Sequence, residues 1–164
     1  MAHVTMLDPA RRPSPKAKRL WAINAALLWL VPFAAQVVWA VLDDDFPTWP
    51  HAAVFAVSVV FAGLHIGVVP LWRYAVHRWE ISDTAVYTKT GWFTQEQRIA
   101  PVSRVQTVDT ERGPIDRLLG LATVTVTTAS AAGAVTITAL DQAVADEAVA
   151  KLTAIAGRTG EDAT

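Results

Sequence analysis

Cysteine is absent from the 164 residues. That removes disulfide scaffolds, thiolate metal sites and cysteine nucleophiles together. Charge is scarce as well: Asp, Glu, Lys and Arg make up 18% of the chain, against about a quarter in ordinary globular domains. The scarcity is uneven. No charged side chain occurs from Leu20 to Leu42, and none from Phe46 to Trp72. The charged remainder is enough for one small domain, which leaves no room for a soluble enzyme with a large core. Net charge is −1, so no overall field draws the chain to nucleic acid, and no such partner is expected.

What fills the gap is apolar: 52% of residues are hydrophobic and the mean hydropathy is +0.30. A helix rises about 1.5 Å per residue, so ~20 apolar residues cross a ~30 Å hydrocarbon layer. The runs 20–42 and 52–72 meet that length and predict a transmembrane hairpin over 20–72. Burying both as core helices would need more surrounding chain than is present. Asp43–Pro50 is short, acidic and proline-bearing, and reads as a tight outer loop.

Arg11, Arg12, Lys16, Lys18 and Arg19 precede the first run, and Arg73 and Arg78 follow the second, while the loop has no cation. The positive-inside rule then predicts a membrane protein with both termini cytoplasmic and Asp43, Asp44 and Asp45 outside. Residues 1–19 read as a basic cytoplasmic arm, a topology signal that could also touch anionic lipid. Trp21, Trp49, Trp72 and Tyr74 fall at span ends, where amphipathic rings prefer to sit. The competing reading is a cleaved signal peptide with Val38–Ala40 at its end. The run is longer than a signal core and a second span follows, which argues against it.

Polar residues inside the spans are few. Gln36 and Ser58 fall at one depth of an antiparallel hairpin and are expected to hydrogen-bond across it. Asn24 and His65 match more loosely. A lone intramembrane histidine invites a proton-relay reading, but neither span holds an acidic partner, so packing is the expectation for His65. Gly63 and Gly67, one turn apart and continued by Ala52 and Ala56, would let the first span or another chain approach closely.

From Arg78 the pattern changes to short β-prone runs: Trp79–Ile81, Ala85–Thr90, Phe93–Ile99, Arg104–Thr110, Leu121–Thr128 and Val135–Ala139. Val105 and Val108 break strict alternation and predict a bulge. A helix capped by Asp141 follows, with the apolar stripe Val144, Ala148, Leu152 and Ile155, and Gly157 is expected to stop it. Residues 158–164 read as a flexible tail. About seven antiparallel strands bent into a barrel and capped by one C-terminal helix make an α+β domain over 73–157.

Between Arg104 and Ser130 the sequence becomes specific. Arg104-Val105-Gln106, Val108-Asp109, Gly113-Pro114-Ile115, Arg117 through Thr123 and Thr128-Ala129 together resemble the YdbS-like bacterial PH-domain membrane protein family. Upstream, Gly91 before an aromatic pair and Ile99-Ala100-Pro101 before the arginine fit the same pattern. The resemblance implies a pleckstrin-homology (PH)-like fold after two spans. It also implies partnership with a larger membrane protein bearing several PH-like domains, or with a second copy. It implies a setting in envelope stress or resistance to membrane-active peptides, and no common biochemical activity. Physically, Gly113-Pro114 can turn the chain, Pro114 can start a helical turn through Leu118, and Gly120 can release it into a strand. Arg104, Asp109, Arg112, Asp116 and Arg117 either form an intradomain ion-pair set or display a docking face. Arg104, Gln106, Asp109, Gly113, Pro114 and Arg117 are the candidate interaction residues.

No enzyme is expected. His3, His51, His65 and His77 are scattered without metal-ligand companions, and no phosphate loop, nucleophile elbow or paired-carboxylate motif is present. No catalytic residue, metal or cofactor is therefore assigned. Phosphoinositide recognition needs converging cations at the first hairpin, yet that turn is Ser82-Asp83-Thr84, with only Lys89 near. From Arg73 onward the chain has 9 basic and 11 acidic residues. The expected function is a PH-like interaction module held at the cytoplasmic face. The alternative is a weak anionic-lipid-binding domain, with Lys89 and Arg98 as first suspects.

Overall fold

The computed structural model describes residues 9–43, 48–129 and 133–161. They divide into two compact units, Lys18–Trp72 and Met1–Ala17 with Arg73–Thr164. Helix α1 (Ala17–Leu42) carries the first apolar run, and α2 (Thr48–Gly63), a π-helical turn (Leu64–Val68) and α3 (Val69–Val76) carry the second. Both helical stretches are long and apolar enough to cross a membrane, and the second outruns its sequence bounds at both ends. Proline explains the irregular turn. Pro70 lacks an N–H, and its ring crowds the carbonyl four residues back, that of Ile66. Widening the helix there relieves the crowding, and the Val69 N–H bonds Leu64 O.

The other unit holds six strands among the described residues. β1 (Arg78–Ile81), β2 (Ala85–Gly91) and β3 (Gln95–Pro101) form one antiparallel sheet; β4 (Val105–Glu111), β5 (Leu121–Thr128) and β6 (Val135–Asp141) form another. In place of the bent barrel of about seven strands expected from the sequence, the described residues form two three-stranded sheets. Pro101, the last residue of β3, and the 3-10 turn Val102–Arg104 carry the chain from one sheet to the other. The clearest hairpin reads as expected: in β5, Val124 and Val126 are buried while Thr123, Thr125 and Thr127 lie between them, half-buried. The bulge foreseen in β4 appears as a register shift between Val105 and Thr107.

Helix α5 (Gln142–Glu161) packs Ala148, Leu152 and Ile155 into the core beside Val86, Val124, Val126 and Ile137. It runs through Gly157 instead of stopping there. An interior glycine costs about 1 kcal/mol, and the buried stripe upstream outweighs it. The tail therefore shortens to residues 162–164, outside the described set. β3 starts at Gln95 rather than Phe93, because Gly91 (φ +108°) begins a tight turn over Trp92–Thr94.

The basic arm is the main departure. Residues 9–17 belong to the β unit, and its boundary falls at Ala17 rather than residue 19. Arg11 and Trp79 exchange both backbone hydrogen bonds, at 3.1 and 2.8 Å. Trp79 Nε1 donates to Arg12 O at 3.2 Å, and the Arg11 guanidinium sits 5.4 Å from the Trp79 ring. Ser14 N–H bonds the carbonyl of Ala139 at 2.9 Å. Ala139 adopts φ 57°, a left-handed conformation costly for alanine, at a second register shift, where β6 carries one residue more than β5 between the pairs Ala122–Leu140 and Val124–Ile137. Lys16 then pairs with Asp141 at 3.1 Å. The arm is thus bridged to the edge of β1 at one residue pair, Arg11 with Trp79, which charge counting alone did not reveal.

Candidate interaction site

The connection from β4 to β5 is built as its sequence suggests. Gly113 is extended at the N-terminus of α4 (Pro114–Leu119), and Pro114 fills the first helical position. The Asp116 carboxylate accepts the Gly113 N–H at 3.0 Å, tying the first turn to its own cap. Gly120 ends the helix at φ 68°, where a side chain would strain the backbone. Arg112 Nε donates to the Leu121 carbonyl at 3.1 Å, clamping the two ends of the connection together.

The expected ion-pair set does not form. Among the described residues no ion pair joins Arg104, Asp109, Arg112, Asp116 or Arg117. Asp116 and Arg112 bond the backbone instead, and Asp109 accepts a hydrogen bond from Thr107 Oγ1 at 3.1 Å. Arg104, Gln106, Asp109, Pro114 and Arg117 are exposed and Gly113 is half-buried. Beside them Leu118 is 85% exposed, an apolar member of the surface that the sequence reading passed over. A loop fixed through its backbone thereby displays charges of both signs and one large apolar side chain.

A polar cleft of about 310 Å³ lies elsewhere in this unit, lined by Arg73, His77, Arg98, Glu96 and threonines of β2 and β6. Arg98 already bonds Glu96 at 2.7 Å and Ala134 O at 3.0 Å. His77 is buried, and its Nδ1–H donates to Arg73 O at 2.8 Å. Burial first and the Arg73 charge second hold the ring's pKa down to about 4, despite that backbone bond. No group of three His, Cys, Asp or Glu among the described residues could hold a metal ion.

In the hairpin unit, Gln36 Nε2 donates to Ser58 Oγ at 2.6 Å, as the shared depth predicts. His65 pairs with Trp29 rather than lying near Asn24. The indole N–H can only donate, so His65 Nδ1 accepts it, at 3.1 Å. A tryptophan one turn from the expected depth is a partner that polarity counting overlooks. Gly63 and Gly67 meet nothing within 4 Å of an added Cβ. The glycine face therefore does not pack against the first span.

Two apolar helices followed by two three-stranded sheets and a C-terminal helix agree with a family model described as Bacterial PH domain, which matches residues 20–155. The chain belongs to the bacterial PH domain family. It is 28% identical over 157 residues to the UPF0699 transmembrane protein YdbS of Bacillus subtilis (strain 168). The match covers 94% of this chain and 98% of that protein. No solved structure matches. As a bacterial PH domain protein with a transmembrane relative of nearly equal extent, it is a membrane-associated PH-like protein.

Proposed function

We propose that this protein is a non-catalytic, membrane-anchored docking subunit. In this reading its PH-like unit offers the surface around α4 to a larger membrane protein bearing similar domains. The observation that carries the reading is the contrast at α4: a connection held rigid by its backbone, with Arg104, Asp109 and Arg117 free of ion pairs and Leu118 turned outward. Rigid loops that leave charge and apolar area uncommitted suit docking, because little conformational entropy is lost on binding. The pairing of Arg11 with Trp79 supports termini on one side of the membrane, and the loop's lack of cations supports a cytoplasmic side, the plasma membrane being the host. Envelope stress, including attack by membrane-active peptides, is the setting that the family resemblance implies.

The test is a photocrosslinking amino acid at Leu118 in the full chain, expressed in its own host membranes. The expected product is one discrete adduct with a membrane protein carrying PH-like domains, lost when Arg117 is changed to Glu. Adducts only with itself would replace the hetero-complex by self-association, and no adduct would remove α4 as the docking surface.

A further inference from the structure

We propose that Trp92 and Phe93 form a second, peripheral membrane contact: a hairpin tip that seats in the headgroup–acyl boundary of the bilayer. Phe93 is 86% exposed and Trp92 43% exposed, whereas the other aromatics of the same sheet are withdrawn, Trp79 buried and Tyr87 half-buried. The tip is specified by its backbone. Gly91 has φ +108°, and a Cβ there would lie 1.9 Å from Thr94 O. Only glycine closes this turn, and the turn holds the two rings 6.1 Å apart with their planes at 60°.

Strand register says where the tip lies. Arg78 pairs with Lys89 and Gly91 with Gln95. The tip therefore projects from the end of the sheet at which the chain enters β1, a few residues after the second apolar stretch. At ~3.3 Å per residue it reaches on the order of 10 Å past Arg78. The opposite end carries the polar turn Ser82-Asp83-Thr84. An amphipathic indole beside a phenyl ring suits the interface, where rings bury their faces and the indole N–H stays wet.

A protein occupant fits less well. Thr94, Gln95, Glu96 and Gln97 around the tip are exposed and polar, so the two rings stand as an isolated apolar point rather than the centre of a wider apolar face. The contact is independent of the α4 surface, and its failure leaves the docking proposal standing.

Because the chain has no cysteine, Thr94→Cys supplies a single thiol for an environment-sensitive dye. The full-length protein is placed one copy per lipid nanodisc containing phospholipids with a nitroxide just below the headgroup. Asp83→Cys serves as the comparison. The expected result is blue-shifted emission at 94 and severalfold stronger quenching than at 83. Adding Trp92→Ser and Phe93→Ser should return quenching at 94 to the level at 83. Both side chains are exposed, so this variant keeps its fold. Equal quenching at the two sites, or quenching that survives the serine variant, overturns the proposal. Shielding at 94 in native membranes but not in pure lipid would assign the tip to a protein partner and overturn it likewise.

Discussion

Valine faces opposite ways in the two units of this chain. In the helical hairpin Val54, Val57 and Val60 point outward, whereas in the β unit Val86, Val124 and Val126 are wholly buried. The residue is the same and the solvent differs. Where the surroundings are hydrocarbon, apolar side chains gain nothing by turning inward. The contacts that tie the two spans together then include the polar pairs Gln36 with Ser58 and Trp29 with His65, beside the ring contact of Phe33 with Phe55 at 5.6 Å. Where the surroundings are water, the apolar contacts specify, and Thr123, Thr125 and Thr127 alternate with the buried valines on the less buried face of β5. Average hydrophobicity therefore locates the hairpin but says little about how it packs. Alternation performs the reverse service for the sheets.

The sharpest test of that contrast substitutes leucine in each unit. Leu152 is fully buried in α5, and Leu152→Ala should cost about 2–5 kcal/mol through lost burial and the cavity left behind. Leu28, exposed on α1, should lose less than about 1 kcal/mol on the same change, since no cavity forms. Thermal unfolding of the full chain in mild detergent measures both. Equal losses would mean that the outward face of α1 is covered.

A titration probes the β unit alone. His77 is neutral in the native state, with a pKa near 4, against about 6.5 when unfolded. Above the unfolded value neither state binds the proton, so stability there is unaffected. As pH falls from about 6.5 toward 4, the unfolded chain takes a proton that the buried ring refuses. Stability should decline across that window by on the order of 2–3 kcal/mol. Hydrogen exchange at β5 and β6 follows it, and His77→Gln should flatten most of the slope between pH 6.5 and 5. An unchanged slope would assign the dependence to other groups.

The smallest effect belongs to the hairpin's polar pair. A double-mutant cycle with Gln36→Leu and Ser58→Ala should return a coupling of about 0.6 kcal/mol. Gly63→Leu with Gly67→Leu should leave crosslinking between cysteines at Gln36 and Ser58 intact, because both glycines face open space. Loss of that crosslink would bring the glycine face back as the seam between the spans.

Much of this could be read in advance where periodicity or depth was the signal. The β5–β6 hairpin, the bulge in β4, the helical turn begun at Pro114 and the Gln36–Ser58 pair all follow from local spacing. What escaped was non-local or depended on shape. The arm looked like a topology signal because its arginines dominate its composition. Its pairing with Trp79 is carried by backbone groups, which leave no trace in side-chain pattern. The charges around α4 suggested ion pairs, but Asp116 and Arg112 are taken up by the peptide backbone. The π-helical turn before Pro70 needed three-dimensional crowding to explain it.

The arm has a consequence for how this protein comes into being. Its backbone partner Trp79 is synthesised only after both apolar stretches. The segment around Arg11 must therefore wait, unpaired, while the hairpin is handed to the insertion machinery. The β unit reaches its final hydrogen bonding only once the intervening segment has been delivered and its two ends brought back together. Completion of the arm's pairing thereby waits on synthesis of the whole intervening segment, and a chain cut short before Trp79 cannot make it.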